Sequence, residues 1–126
     1  MGFEWHDEGK LHRVPKLDPG PRNVWFGDIY GTASSDASNP LTSSFFYLEK
    51  IDKPEPAPTY SYDETGVVLK GELHILDEKG NSAKLQPGDT FFIHRGSTIT
   101  FSTPRYAVAF KSAARHRDWA ITPSLL

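Results

Sequence analysis

The chain has 126 residues, a formal net charge of −2 with acids and bases interspersed, and no cysteine. That length accommodates one domain around a single core. The charge balance excludes a nucleic-acid footprint, and the missing thiols exclude disulfide frameworks, thiolate nucleophiles and cysteine-based metal sites.

Residues 1–22 carry Pro15, Pro19 and Pro21 among charged and polar residues. Proline removes donors from helix and sheet alike, so this segment reads as an arm that wraps the folded domain or a partner subunit, or else as a partly disordered leader. It shows neither the basic nor the apolar region of a signal peptide, and no run in the chain reaches the roughly 20 apolar residues of a membrane span, so the expectation is a cytoplasmic protein without membrane contact. Residues 23–126 are read as one domain. Val24 to Tyr30, ended by Gly31, is rich in aromatic and β-branched residues and predicts a strand. Thr32 to Asn39 is a polar loop that composition allows to be a flexible connection or a lid. Ser43 to Lys50 predicts a second strand, with Phe45, Tyr47 and Glu49 on one face and Phe46, Leu48 and Lys50 on the other. Pro54, Pro56 and Pro58 alternate in a stretch that cannot be a paired central strand and reads as a stiff connection.

From Tyr60 to Phe101, short apolar runs alternate with compact turn signals, as in an antiparallel meander. Val67–Leu69 and Leu73–Leu76 are split by Gly71, which permits a kink or bulge. Asp77 to Asn81 and Gln86-Pro87-Gly88-Asp89 supply turn chemistry. Tyr106 to Lys111 predicts a last strand with Tyr106, Val108 and Phe110 on one face, and Ala113 to Ala120 a short helix that lays Trp119 across the sheets.

Val68-Leu69-Lys70-Gly71-Glu72, followed by Pro87-Gly88-Asp89 and Phe92-Ile93-His94-Arg95-Gly96-Ser97, resembles the two motif blocks of a cupin barrel. Tyr62-Asp63-Glu64, Gly96-Ser97-Thr98-Ile99 and Phe101-Ser102-Thr103-Pro104 are similar to the small cupins related to the ethanolamine-utilisation protein. The resemblance covers the second half of the chain. It implies an all-β jelly-roll barrel of two antiparallel sheets, with the N-terminal arm and C-terminal helix appended, and a homodimer joined through the outer sheet.

Metal-dependent cupins place histidines and a glutamate at positions that the resemblance maps onto Pro58, Tyr60, Glu64 and Ile99. One ligand type in four survives, too few for a transition metal at that site, and no cofactor is expected. In place of the metal set, Tyr60, Tyr62 and Glu64 recur at spacing two and so share the strand face that the resemblance turns to the barrel interior. Burial of a carboxyl beside two phenols makes an acid–base set. The same residues also fit a simpler role: core tyrosines whose hydroxyls reach the rim, with Glu64 at a strand end in water. His94 stands where the related proteins have proline, and reads either as a base at the cavity mouth or as a solvent-facing loop residue. Trp25, Tyr30, Phe45 and Tyr47 are candidates to line the cavity and stack on a ligand, or to be plain core packing. His74 and Glu72 are expected on the outside of their sheet.

Three functional readings stay open. The first is metal-independent acid–base chemistry on a small organic molecule, by a lyase, dehydratase, isomerase or cyclase, with Glu64, Tyr62 and His94 catalytic and Tyr60, Tyr47, Trp25 and Phe45 holding the substrate. The second is a non-catalytic binding or scaffold protein. The third is a metalloenzyme with an unusual site made by Glu64 and His94.

Overall fold

Alternation of inward and outward side chains sets eight strands: β1 Val24–Gly31, β2 Thr42–Glu49, β3 Glu64–Gly71, β4 Leu73–Leu76, β5 Ser82–Leu85, β6 Thr90–Ile93, β7 Thr100–Ser102 and β8 Tyr106–Ala113. The structure is a computed structural model that describes residues 2–17 and 21–117. A five-stranded sheet has the order β1-β2-β8-β3-β6 and a three-stranded sheet the order β5-β4-β7. Every strand pair is antiparallel. The two sheets close over a core of Val24, Phe26, Phe46, Leu48, Val68, Leu73, Ile93, Ile99 and Phe101, which is the expected all-β jelly-roll. Among the described residues no helix is long and apolar enough to cross a membrane.

Gly71 is where the chain leaves one sheet for the other. It lies at φ 76°, and a Cβ there would sit 2.1 Å from the Tyr106 carbonyl oxygen. A register shift between Val68 and Lys70 adds a bulge just before it.

The arm is ordered against the barrel from Pro15 to Leu17. Phe26 N donates to the Pro15 carbonyl and Leu17 N to that of Val24, and Lys16 bridges Trp25. These bonds cover the open edge of β1, which would otherwise present unpaired backbone groups. A short 3-10 turn at Glu8–Arg13, capped by the Asp7 carboxylate accepting from Gly9 N, precedes them. Residues 8–13 hold no proline; Pro15, Pro19 and Pro21 make the whole of residues 1–22 read as irregular from sequence. The proline-alternating segment behaves as its composition demands: it pairs along one side only. Ala57 N donates to Ile99 O and Tyr60 N to Ser97 O, while Gly96 N donates back to Tyr60 O.

The expected C-terminal helix is corrected at its start. Ala113 is the last residue of β8, held between Thr42 and Glu64 as sheet partners. Ala114 N then donates to Asp63 O and Arg115 O accepts from the Thr42 hydroxyl, so these bonds to the barrel replace helical ones and residues 114–117 bend without forming a helix. Trp119 and the rest of that segment lie outside the described residues.

Candidate functional site

A cavity of about 380 Å³ opens into the barrel, lined mostly by aromatic and aliphatic side chains together with Tyr60, Tyr62, Glu64 and Lys111. Glu64 opens β3, where pairing with Ile93 on one side and Ala113 on the other fixes its backbone and turns the side chain inward. The tyrosines reach it by a different route from the one expected. Residues 60–63 lie in a bend rather than a strand, and the backbone bonds of Tyr60 to Gly96 and Ser97 hold its ring inside. The bend brings the three residues together all the same. The Tyr60 hydroxyl donates to Glu64 Oε1 at 3.1 Å, and the Tyr60 and Tyr62 rings meet edge to face at 5.4 Å.

Lys111 completes the group, and the sequence reading missed it. Its Nζ lies 3.3 Å from Glu64 Oε1, and each of the two side chains is 2% exposed. The ammonium sits 3.8 Å from the Phe46 ring centre and 4.3 Å from that of Phe101, so aromatic faces replace much of the water it has lost. A signal was present in β8. Tyr106, Val108 and Phe110 mark the outer face, so the other parity (Ala107, Ala109, Lys111, Ala113) is the inner one. A lysine among alanines on an inward face has room and no water.

Low dielectric sets the proton affinities. Burial pushes the Lys111 pKa below the ordinary lysine value, outweighing the opposing pull of Glu64. Burial, reinforced by the negative charge of Glu64, raises the pKa of Tyr60 far above the phenol range and that of Tyr62 in the same direction. Both phenols are therefore hydrogen-bond donors at neutral pH. Glu64 is an acceptor with a cation on one side and a phenol on the other.

A second polar cluster braces the neighbouring wall. Asp28, fully buried on β1, accepts from both terminal nitrogens of Arg115 at 2.7 and 2.8 Å and from the Ser44 hydroxyl at 2.7 Å. Burial pulls the Arg115 pKa down, but the Asp28 carboxylate and its hydrogen bonds more than restore it, and the guanidinium stays charged. Arg115 also lies 5.4 Å from the Tyr62 ring centre, which fixes the outer side of that tyrosine.

Four residues expected to line the cavity, Trp25, Tyr30, Phe45 and Tyr47, are elsewhere. Trp25, Phe45 and Tyr47 are on the outer face of the five-stranded sheet. The pairing of Trp25 with Tyr47 and of Gly27 with Phe45 puts them on one face, and the buried Ser44, Phe46 and Leu48 take the other. Trp25 and Tyr47 meet edge to face, Phe45 packs on Phe110, and Trp25 and Tyr47 line an outer groove with Leu11, Val14, Tyr106 and Val108. Tyr30 stacks on His6 of the arm. His94 is exposed, with its ring against Phe92, and is absent from the lining of the barrel cavity. Its neighbour Ile93 takes the inward position, so parity sends His94 out. Glu64 and His94 therefore do not meet, and among the described residues no group of three or more His, Cys, Asp or Glu is placed to hold a metal. His74 and Glu72 bond to each other at 2.5 Å, beside the buried Leu73.

Comparison with known proteins agrees with this barrel. The family model described as ethanolamine utilisation protein EutQ matches residues 9–120. The chain belongs to the EutQ family. A curated EutQ from Salmonella typhimurium, named an acetate kinase, is 43% identical over 61 residues; that stretch is 48% of this chain and 26% of the relative's length. The chain thus aligns with only about a quarter of that relative. The solved EutQ of Clostridium difficile superimposes with a TM-score of 0.61 at 28% identity, covering 77% of this chain and 65% of that one. The cupin domain of Schizosaccharomyces pombe Cnp3, at 9% identity, gives a TM-score of 0.59 over 77% of this chain and 63% of its own. At that identity the likeness shows the cupin fold and nothing about activity.

Proposed function

We propose that this EutQ-family cupin carries out metal-independent acid–base chemistry on a small organic molecule held in its barrel. The observation that supports it is the Tyr60–Glu64–Lys111 group in the lining of a mostly apolar cavity. Glu64 is the proton acceptor of the set, and Tyr60 and Tyr62 are donors for an oxyanion that develops as a proton leaves carbon. Lys111 supplies the compensating charge. The reaction class is a lyase, dehydratase, isomerase or cyclase step, in which a proton is removed next to an electron-withdrawing group. His94 has no place in this scheme, because it faces solvent.

Phosphotransfer, the activity in the curated relatives' names, fits this lining less well. Among the described lining residues the one cation is Lys111, and it is already paired with Glu64. A scaffold role has support from a different observation. The outer sheet face carries Trp25, Phe45, Tyr47, Tyr106 and Phe110, and we propose a second copy of the chain as its partner. The two roles are compatible.

The test of the catalytic role is solvent-deuterium incorporation, followed by NMR, across a panel of small carbonyl compounds and hydroxy acids in D2O. Glu64→Gln is expected to abolish any exchange that the wild type catalyses, with the circular dichroism spectrum unchanged. Undiminished exchange in that variant would remove Glu64 from the role.

A further inference from the structure

We infer that Lys111 is a nucleophile, and that the molecule this barrel takes is a small uncharged aldehyde or ketone, captured as a Schiff base. The inference rests on the acid–base reading and names its substrate class.

The placement of Lys111 carries the argument. An ammonium retained for solubility or for a surface ion pair lies in water. This one is 2% exposed, faces the cavity, and is surrounded by the rings of Phe46, Phe101 and Phe26. For stability alone a buried ion pair is a poor choice, since two apolar residues of similar volume commonly do as well or better. Desolvation also loosens the proton on Lys111, which is how amine nucleophiles are activated. Glu64 from β3 pairs with Lys111, the charge of Arg115 beyond the end of β8 acts on it, and Tyr60 and Tyr62 from the bend line the same cavity. The rest of the lining is mostly apolar, with Asn23, Glu55, Thr59 and Ser61 as its other polar members. Among the described residues this lining offers no second cation for an anionic substrate, which leaves an uncharged carbonyl compound as the fitting guest.

The step balances within the observed set. The ammonium of Lys111 passes a proton to the Glu64 carboxylate, and the free amine adds to the carbonyl carbon. A C–N bond forms as the C=O pair moves to oxygen. Glu64 protonates that oxygen, takes back a proton from nitrogen, and protonates the hydroxyl so that the C–O bond breaks and water leaves. The products are a protonated imine on Lys111, a Glu64 carboxylate and one water. Starting pair and final pair each hold one positive and one negative charge, so no net charge is created in the dry interior. The imine in turn acidifies the adjacent C–H, the proton that the acid–base reading asks Glu64 to move.

The experiment treats the full chain at neutral pH with propanal and sodium cyanoborohydride, then maps propylated lysines by peptide mass spectrometry over time. Lys111 is expected to label faster than the exposed Lys50, Lys53, Lys79 and Lys84, because its lowered pKa leaves more of it as free amine at neutral pH. Glu64→Gln, which keeps Lys111, is expected to slow that labelling through loss of the proton shuttle, even though removing the carboxylate loosens the Lys111 proton further. An unlabelled Lys111, or one labelled at the rate of the exposed lysines, overturns the proposal. An unchanged rate in Glu64→Gln overturns the shuttle. If labelling fails while Glu64-dependent deuterium exchange persists, the Schiff base is wrong and the acid–base reading survives; if both fail, so do both ideas.

Discussion

Replacing Lys111 by Met keeps most of its volume and its contact with Phe46 and Phe101 but strips the positive charge. Glu64, 2% exposed, is then left with the Tyr60 hydroxyl as its hydrogen-bond donor. Removing one member of a buried pair costs about 3–5 kcal/mol, much of it the penalty of an uncompensated charge. Glu64→Gln strands Lys111 in the same way, though a lysine can shed its proton, so its loss belongs at the low end of that range. In the double variant both charges are gone, and the amide oxygen introduced by Glu64→Gln can still accept from Tyr60. It is expected to recover at least about 2 kcal/mol relative to the sum of the single losses. Urea titration of the four proteins measures this directly, provided m is unchanged. The pH dependence follows from the same pair. The folded pKa of Lys111 lies below the ordinary value of about 10.4, so between the two the unfolded chain binds more protons than the folded one. Stability gains from this residue as pH rises through that window, and its burial penalty is fully present below it. The wild type should therefore gain stability relative to Lys111→Met across the window. Strict additivity in the cycle, or a loss below about 1 kcal/mol for Lys111→Met, would refute the buried pair.

Three further outcomes follow from other parts of the structure. Arg115→Met leaves Asp28, fully buried, without its bidentate partner and should lower stability by about 3–5 kcal/mol in urea titration, with the near-ultraviolet signal of Tyr62 altered as its wall loosens. Gly71→Ala combines a left-handed backbone with a clash against Tyr106 O and should give little or no soluble folded protein, whereas Gly80→Ala, where no atom is near, should cost only about 1 kcal/mol from its positive φ. Asp77 accepts from Lys79 N, Asn81 N and Asn81 Nδ2, so Asp77→Ala should speed amide exchange at Lys79 and Asn81; unchanged protection would show that the β4–β5 turn does not depend on it.

How far the sequence could be read is clearest at particular residues. Turn chemistry at Asp77–Asn81 and the break at Gly71 placed β4 to the residue, because those constraints are local, whereas β3 begins at Glu64, three residues before the apolar run Val67–Leu69 that marked it. Which parity faces the core is a tertiary property. For β2 the sequence offers Phe45 and Tyr47 against Phe46 and Leu48, both sets apolar, and no local rule chooses between them. The choice depends on β8, whose small inward alanines leave space for Phe46, while Phe45 packs on the outward Phe110. Tyr60, Tyr62 and Glu64 were picked out by their spacing and do share the cavity, yet a bend and the backbone bonds to Gly96 and Ser97 bring them there rather than strand alternation. Lys111 escaped because lysine is expected in water. Asp28 and Arg115 escaped because residues 87 positions apart meet only through the fold. The outward turn of His94 follows from a buried neighbour, Ile93, that sequence alone does not single out.

The central question is whether the barrel interior is a site or merely a core. The most direct measurement is a crystal structure of untagged protein soaked with a mixture of small aldehydes, ketones and hydroxy acids. Density for one organic molecule touching Tyr60, Tyr62, Glu64 and Lys111, continuous with the Lys111 Nζ for a carbonyl compound, is the predicted result. A cavity closed by the protein's own aromatic side chains, with the soaked compounds bound only on the outer surface, would contradict it.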